Sequence, residues 1–315
     1  MSAPGAMYRP RQRARKLAGW AFGAACFLAT LTGLLVLIIL LGSIITAAAS
    51  RYVKGGDPAP SIRVLDVPGY AASLATKPTS SRAEGAGFRA GILGSIWLLG
   101  LVLLIAIPIG VGAAVFLEEF APPGRLRNLI QLNLANLAGV PSIVYGLLGL
   151  ALFVEAFGIK GLAMGKVLWA GGLTLSLLVL PIVVIATREA LRAVPISLRH
   201  AALALGATKW QVVRDHVLPS AVPGILTGTI LAVSRAIGET APLLMVGAAA
   251  TILQLPSGPS SLYTALPVEI YNYAKEPNAA MRSVAAGGIL LLLALLLTMN
   301  SVAILIRNRY RTTSR

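Results

Sequence analysis

Residues 188–219, REALRAVPISLRHAALALGATKWQVVRDHVLP, form a polar stretch inside an otherwise apolar chain. Long apolar runs flank it, Val167–Ala186 before and Ala221–Val246 after, so it reads as a loop joining two membrane helices. It holds Arg188, Arg192, Arg199, Lys209 and Arg214, the densest internal basic cluster, and short loops rich in Lys and Arg stay cytoplasmic. A short helical run begins near His200 and reaches Gly206, where a permissive backbone lets the helix end and turn. Thr208 is placed to cap a second run that ends at Leu218-Pro219. The pattern predicts two short helices on the membrane surface, a knob offered to something in the cytoplasm.

Composition agrees with a membrane solvent. Of the 315 residues, 57% are apolar and only 12% charged, with mean hydropathy +0.80. A soluble domain carries about twice that charge fraction. The single cysteine, Cys26, lies in an apolar run and excludes a disulfide framework. A net charge of +16 would suit nucleic acid, yet no basic face is interleaved with aromatics, and the basic residues mostly flank apolar segments. Topology accounts for them, and no nucleic-acid partner is expected.

Residues 1–16 read as a basic cytoplasmic tail, and 17–49 as a first transmembrane helix, too long for the core of a cleaved signal. Residues 50–90 form an external segment rich in Pro, Gly and Ser, with a short strand expected at Ile62–Val67. A core of five membrane helices follows over 91–307: spans at Gly91–Leu117, from Asn128 to near Phe157, Val167–Ala186, Ala221–Val246, and about Val284–Ile306. Residues 308–315 are a basic cytoplasmic tail. The third span is unusual, since Asn128, Gln131, Asn133 and Asn136 precede Gly139-Val-Pro141-Ser142. Amides are costly against lipid and should face protein or a water-filled path. Gly and Pro two residues apart loosen a helix that protein surrounds.

Four stretches carry a family resemblance. In the polar loop, Ala201-Ala202, Gly206 and Leu218-Pro219 are spaced as in the EAA loop of ABC-importer permeases, with His200 where Glu is usual and His216 where an aliphatic residue is usual. Gly139-Val-Pro-Ser-Ile-Val-Tyr-Gly146-Leu-Leu-Gly149 and Ser234-Arg-Ala-Ile-Gly-Glu-Thr-Ala-Pro-Leu-Leu244 resemble two signatures of phosphate-importer permeases. The Glu-Thr-Ala-Pro-Leu-Leu ending and the stretch Leu266-Pro-Val-Glu-Ile-Tyr-Asn-Tyr-Ala-Lys275 resemble the PstA type rather than the PstC type. The resemblance covers roughly residues 89–307.

It implies an all-α polytopic protein of six transmembrane helices with type I ABC-importer architecture, both termini cytoplasmic, in the inner membrane of a bacterium. It implies inorganic phosphate as substrate and, as partners, a PstC-type permease, two PstB-type ATPase subunits and an external PstS-type phosphate-binding protein. His200, Ala201, Ala202, Gly206, Ala207, Leu218 and Pro219 would then couple this chain to the ATPase. Another oxyanion, such as sulfate or molybdate, and a self-sufficient secondary anion transporter remain alternatives.

The residues themselves point to a path. Arg235 lies some 15 residues beyond Pro219, hence about 23 Å along a helix and deep in the bilayer. An unpaired arginine there costs about 2.5–3.5 kcal/mol on insertion scales. Glu239, four residues on, shares its helix face. The pair either neutralises itself as a structural lock or presents a guanidinium fork to a passing oxyanion, whose paired oxygens it matches. Arg188, at the inner end of the fourth span, is a second candidate contact or a topological anchor. Asn133, Asn136 and Ser142 complete the polar candidates. No phosphate-cradling GxxxxGK[ST] loop is present: Gly161-Leu-Ala-Met-Gly165-Lys166-Val167 has the wrong glycine spacing and lacks the hydroxyl. No metal-ligand or catalytic constellation stands out. ATP and Mg belong on the partner ATPase, and the chain is expected to be a transporter subunit rather than an enzyme.

Overall fold

Hydrocarbon offers the backbone no hydrogen-bond partner, so apolar runs of this length fold as helices. The computed structural model describes residues 12–50, 67–159, 161–248 and 255–313, and among them no strand occurs. The helices are α1 (Gln12–Ala49), α2 (Val67–Thr76), α3 (Arg89–Val115), α4 (Arg125–Ala138), α5 (Ser142–Gly149) and α6 (Leu168–Arg192). They continue as α7 (Ile196–Ala204), α8 (Lys209–Val212), α9 (Leu218–Gly238), α10 (Ala241–Met245), α11 (Leu266–Lys275) and α12 (Ala279–Thr313). Wider π-turns prolong α3 over Phe116–Phe120, prolong α5 over Leu150–Val154, and join α8 to α9 over Val213–Val217.

Helices α3, α6 and α9 make the core. Small residues let them approach closely, as membrane helices do. Gly172 of α6 receives Leu101 of α3 and Gly110 of α3 receives Val183, so these two run parallel. Gly224 and Gly228 of α9 meet Ala190 and Ala186, so α9 runs antiparallel to α6. Leu98, Val102, Leu175, Val179, Ala232 and Ala236 fill the seam. Helix α12 packs outside it through Leu292, Leu296 and Met299. Helix α1 lies against α12 and is tied at one end, where Ser283 Oγ donates to the Ser50 carbonyl at 2.6 Å. Its large apolar side chains, including Phe27, Leu35 and Ile39, point outward, as on a helix solvated by lipid.

Among the described residues, five helices are long and apolar enough to cross a membrane, and a bent pair supplies a sixth crossing if it is one span. That pair is the third expected span. Helices α4 and α5 meet at 101° because Gly139 ends one helix and Pro141 caps the next. The Tyr145 hydroxyl donates to the Leu137 carbonyl at 2.9 Å and holds the bend. The fifth expected span, Ala221–Val246, also breaks: α9 stops at Gly238, Glu239 is extended, and α10 starts anew. The second run of the polar loop does not end at Leu218-Pro219, because the π-turn Val213–Val217 carries it on into α9, with Pro219 near the join. Most of the strand expected at Ile62–Val67 lies outside the described residues, as do most of the basic tail 1–16 and Ser314 and Arg315; Val67 itself opens α2.

Opposite the polar loop, α11 lies across the start of α3. The Leu266 N–H donates to Ser95 Oγ at 2.9 Å, and the Thr264 backbone rests on Gly94, where any Cβ would clash with the Thr264 carbonyl. The Tyr273 hydroxyl accepts from the Ser80 N–H and donates to the Gly87 carbonyl, each at 3.2 Å. Glu269 is buried, accepting from Thr79 Oγ1 at 2.7 Å. Burial raises its pKa from 4.5 to about 7, against the lowering effect of the Thr79 bond. The folded state therefore holds a proton that the unfolded chain releases above pH 4.5. Stability from this group is full below pH 4.5 and is lost as pH rises through about 7. The thermal midpoint of the purified wild type is expected to fall by a few degrees between about pH 5 and pH 8. Glu269→Gln, neutral throughout, should flatten that slope; an equal slope in the variant would remove Glu269 as its source.

Candidate transport path and coupling loop

The polar loop folds as two short helices around a left-handed residue. Gly206 has φ +86°, and a Cβ placed there would meet nothing, so only the backbone conformation demands glycine. Thr208 caps α8 through a capping box: its side chain accepts from the Gln211 N–H, and Gln211 Oε1 accepts from the Thr208 N–H at 2.8 Å. Ala202 is buried with Val212, Val213 and Val217 in a small apolar cluster that ties α7 to the start of α9. Ala207 and Leu218 pack against that cluster, whereas His200, Ala201, Gly206 and Pro219 are exposed. Leu205 is 89% exposed and Trp210 55% exposed, so the knob presents apolar side chains outward.

Arg188 is 6% exposed and points into protein rather than into an open mouth. Its Nε lies 3.2 Å from Glu118 Oε2, an oxygen that Arg127 Nη2 also approaches at 3.3 Å, while Glu118 Oε1 takes Arg192 Nε at 2.8 Å. With its amide oxygen turned inward, Gln131 accepts from Arg188 Nη2 at 2.9 Å and from Arg127 Nε at 3.1 Å. One carboxylate thus gathers three arginines from α4 and α6 at the loop end of the bundle. Neither Glu118 nor Gln131 stood out in the sequence as a partner of Arg188. The acidic pair Glu118-Glu119 between an apolar run and a basic loop was the available signal.

Arg235 and Glu239 do pair, Nε to Oε1 at 3.2 Å, although Glu239 lies just beyond the helix on the extended link to α10. The register that sets Gly224 on Ala190 and Gly228 on Ala186, continued along α9, brings Arg235 level with Val179, about midway along α6. Arg235 is 39% exposed in this chain, and among the described residues its two Nη atoms carry no hydrogen bond. Tyr145 of α5 lies within its electrostatic reach. A Cβ on Gly146 would come within 2.7 Å of Pro242, so the two signature stretches, 139–149 and 234–244, pack on each other. Ser142 is half-buried at the start of α5. Asn133 and Asn136 sit on α4, which buries none of its residues, and Asn133 Nδ2 donates to the Leu129 carbonyl of its own helix.

A family model described as a binding-protein-dependent transport system inner membrane component matches residues 106–311. The chain belongs to that family. It is therefore a multi-pass inner-membrane permease subunit of an ABC importer, not an enzyme. The phosphate transport system permease protein PstA of Haemophilus influenzae is 35% identical over 235 residues, which cover 74% of this chain and 80% of the relative. A probable ABC transporter permease, YqgI of Bacillus subtilis, is 39% identical over 176 residues, 56% of this chain and only 58% of that relative. In fold, the chain is similar to a bacterial ABC transporter involved in the import of the acidic polysaccharide alginate. The TM-score is 0.62 at 17% identity, over 95% of this chain and 99% of that one.

Proposed function

We propose that this chain is the PstA-type permease of an ATP-driven importer of inorganic phosphate. The observation that carries the reading is Arg235: a guanidinium midway along the core, held at Nε by Glu239, with no hydrogen bond at either Nη atom among the described residues, beside the packed signature stretches. A guanidinium fork matches paired phosphate oxygens. Glu239 competes for the same cation and keeps the anion from being trapped. The phosphate-transport name of the Haemophilus relative supports this choice of substrate. In this reading the loop 188–219 and both termini are cytoplasmic and residues 50–90 are external. Two PstB-type ATPase subunits dock on this loop and on that of a PstC-type permease, and a PstS-type protein delivers phosphate from outside. Arg188, bound by Glu118, serves the inner end of the bundle rather than the anion.

The reading is tested by co-expressing the chain with its partner subunits and measuring anion uptake in proteoliposomes. ATP-dependent phosphate uptake that excess sulfate or molybdate leaves intact is expected. Uptake of sulfate or molybdate in preference to phosphate would overturn the substrate, and uptake without an ATPase would overturn the class.

Gly206 gives a graded check on the docking role. A left-handed backbone costs an L-residue about 1–2 kcal/mol, more when β-branched. Gly206→Asn should be nearly silent, Gly206→Ala intermediate, and Gly206→Val should lower ATPase capture and uptake about tenfold while the chain still inserts. Full ATPase capture by Gly206→Val would remove the turn from the docking surface.

A further inference from the structure

Three consecutive side chains at the inner end of α3 each hold a different element. Glu118 holds Arg127 of α4 and Arg188 and Arg192 of α6. Glu119 holds Arg199 of α7: Arg199 Nη2 lies 2.7 Å from Glu119 Oε1, and Arg199 Nε also faces the carboxylate. The same guanidinium donates to the Leu191 and Val194 carbonyls at 2.8 and 2.7 Å, so it staples α7 to the end of α6 as well. Phe120 meets Trp210 of α8 with ring centroids 6.4 Å apart, and Lys209 Nζ stands 5.4 Å above its ring. All three residues lie in the π-turn Phe116–Phe120, closed by the Ala121 N–H to the Phe116 carbonyl at 2.8 Å. Such turns recur at functional sites, because the wider winding re-aims side chains that an α-helix would space differently.

The arrangement is asymmetric in a useful way. Glu119 and Arg199 are only 10% and 18% exposed, so their charge-assisted bonds are shielded from water and fixed in direction. Helices α7 and α8 also reach the membrane core through the apolar cluster of Ala202, Val212 and Val213 with Val115 and Leu191, and α8 runs on into α9 through the π-turn Val213–Val217. The directional ties from the loop to α3 are those of Glu119 and Phe120, and Glu118 on the same turn binds α4 and α6. We propose that the π-turn Phe116–Phe120 is the joint that passes movement of the coupling loop into the membrane helices, with Glu119 and Phe120 as positioning residues. This rests on the reading that an ATPase docks on the loop.

The test uses the assembled transporter in proteoliposomes and reads phosphate taken up per ATP hydrolysed. Glu119→Gln keeps the side-chain volume and removes the charge that orients Arg199. Phe120→Ala removes the aromatic grip without touching any charge. Both are expected to retain the ATPase at wild-type stoichiometry and to lower uptake per ATP about tenfold, equivalent to about 1.4 kcal/mol of lost coupling. Arg199→Lys, which keeps the charge but cannot serve a carboxylate and two carbonyls together, should fall between. Wild-type uptake per ATP in both Glu119→Gln and Phe120→Ala overturns the joint. Loss of insertion or of ATPase capture in them overturns it too, because the turn would then serve only as scaffold. A wild-type complex that captures no ATPase instead sinks the docking reading, and is distinguished by that control.

Discussion

Replacing Glu118 by alanine is expected to cost about 3–5 kcal/mol of stability, because it leaves Arg188 and Arg127 without their carboxylate in a site that is largely shut to water, whereas the more exposed Arg192 keeps Glu189. Glu118 and Arg188 are 13% and 8% exposed at their side chains, and Arg127 is 20% exposed. Breaking such a group from one side leaves the buried charge of Arg188 with no carboxylate partner among the described residues. Thermal unfolding of the purified chain should show a midpoint lowered by roughly 5 °C or more. Asp215→Ala is the internal comparison: its partner Arg214 is 69% exposed, and an exposed pair of this kind is worth about 0–1 kcal/mol. A Glu118→Ala midpoint equal to that of Asp215→Ala would mean that solvent or lipid headgroups already screen the arginines.

Glu118 also marks where reading the sequence stops. The helices, the basic loop and its glycine were legible because they depend on local rules. Apolar length sets the spans, Gly206 needs its left-handed φ whatever surrounds it, and Thr208 finds its cap three residues away. The bend at Gly139–Pro141 was half legible: the breakers were visible, but the 101° angle depends on Tyr145 reaching back to Leu137. The break at Glu239 escaped notice because Arg235 and Glu239 pair at helical spacing even though the helix has already ended. Ties across 70 to 190 residues, Arg188 to Glu118, Arg199 to Glu119 and Thr79 to Glu269, have no local signature at all. Their partners are ordinary charged or hydroxyl residues until the fold juxtaposes them. The candidate path was legible to the same extent: the types at 235 and 239 announced it, whereas their packing on α5 through Pro242 and Gly146 did not.

Removing both members of the Arg235–Glu239 pair separates the two meanings that pair carries. A lock that only neutralises itself loses stability when either member is removed, since the other charge is left alone in a low-dielectric setting. Replacing both with glutamine leaves no unpaired charge, and two amides of similar shape still reach each other. A purely structural pair therefore predicts that Arg235→Gln with Glu239→Gln recovers assembly and uptake together. Anion contact predicts something different. The doubly neutral chain assembles with its partners, yet the amide lacks the charge and the fork that a phosphate must meet on its way. Losing charge-assisted hydrogen bonds worth about 1.5–3 kcal/mol should lower uptake per assembled complex about 10- to 100-fold. Glu239→Gln alone should then be more revealing than Arg235→Gln alone. It removes the negative charge that competes for the guanidinium, so phosphate should bind longer and leave more slowly, and uptake should drop while apparent affinity rises. The measurement is phosphate uptake across a concentration series for both single variants and the double variant, each normalised to assembled complex. Near wild-type uptake in the double variant would make the pair a lock and return the search for the anion contact to the rest of the α5–α10 seam.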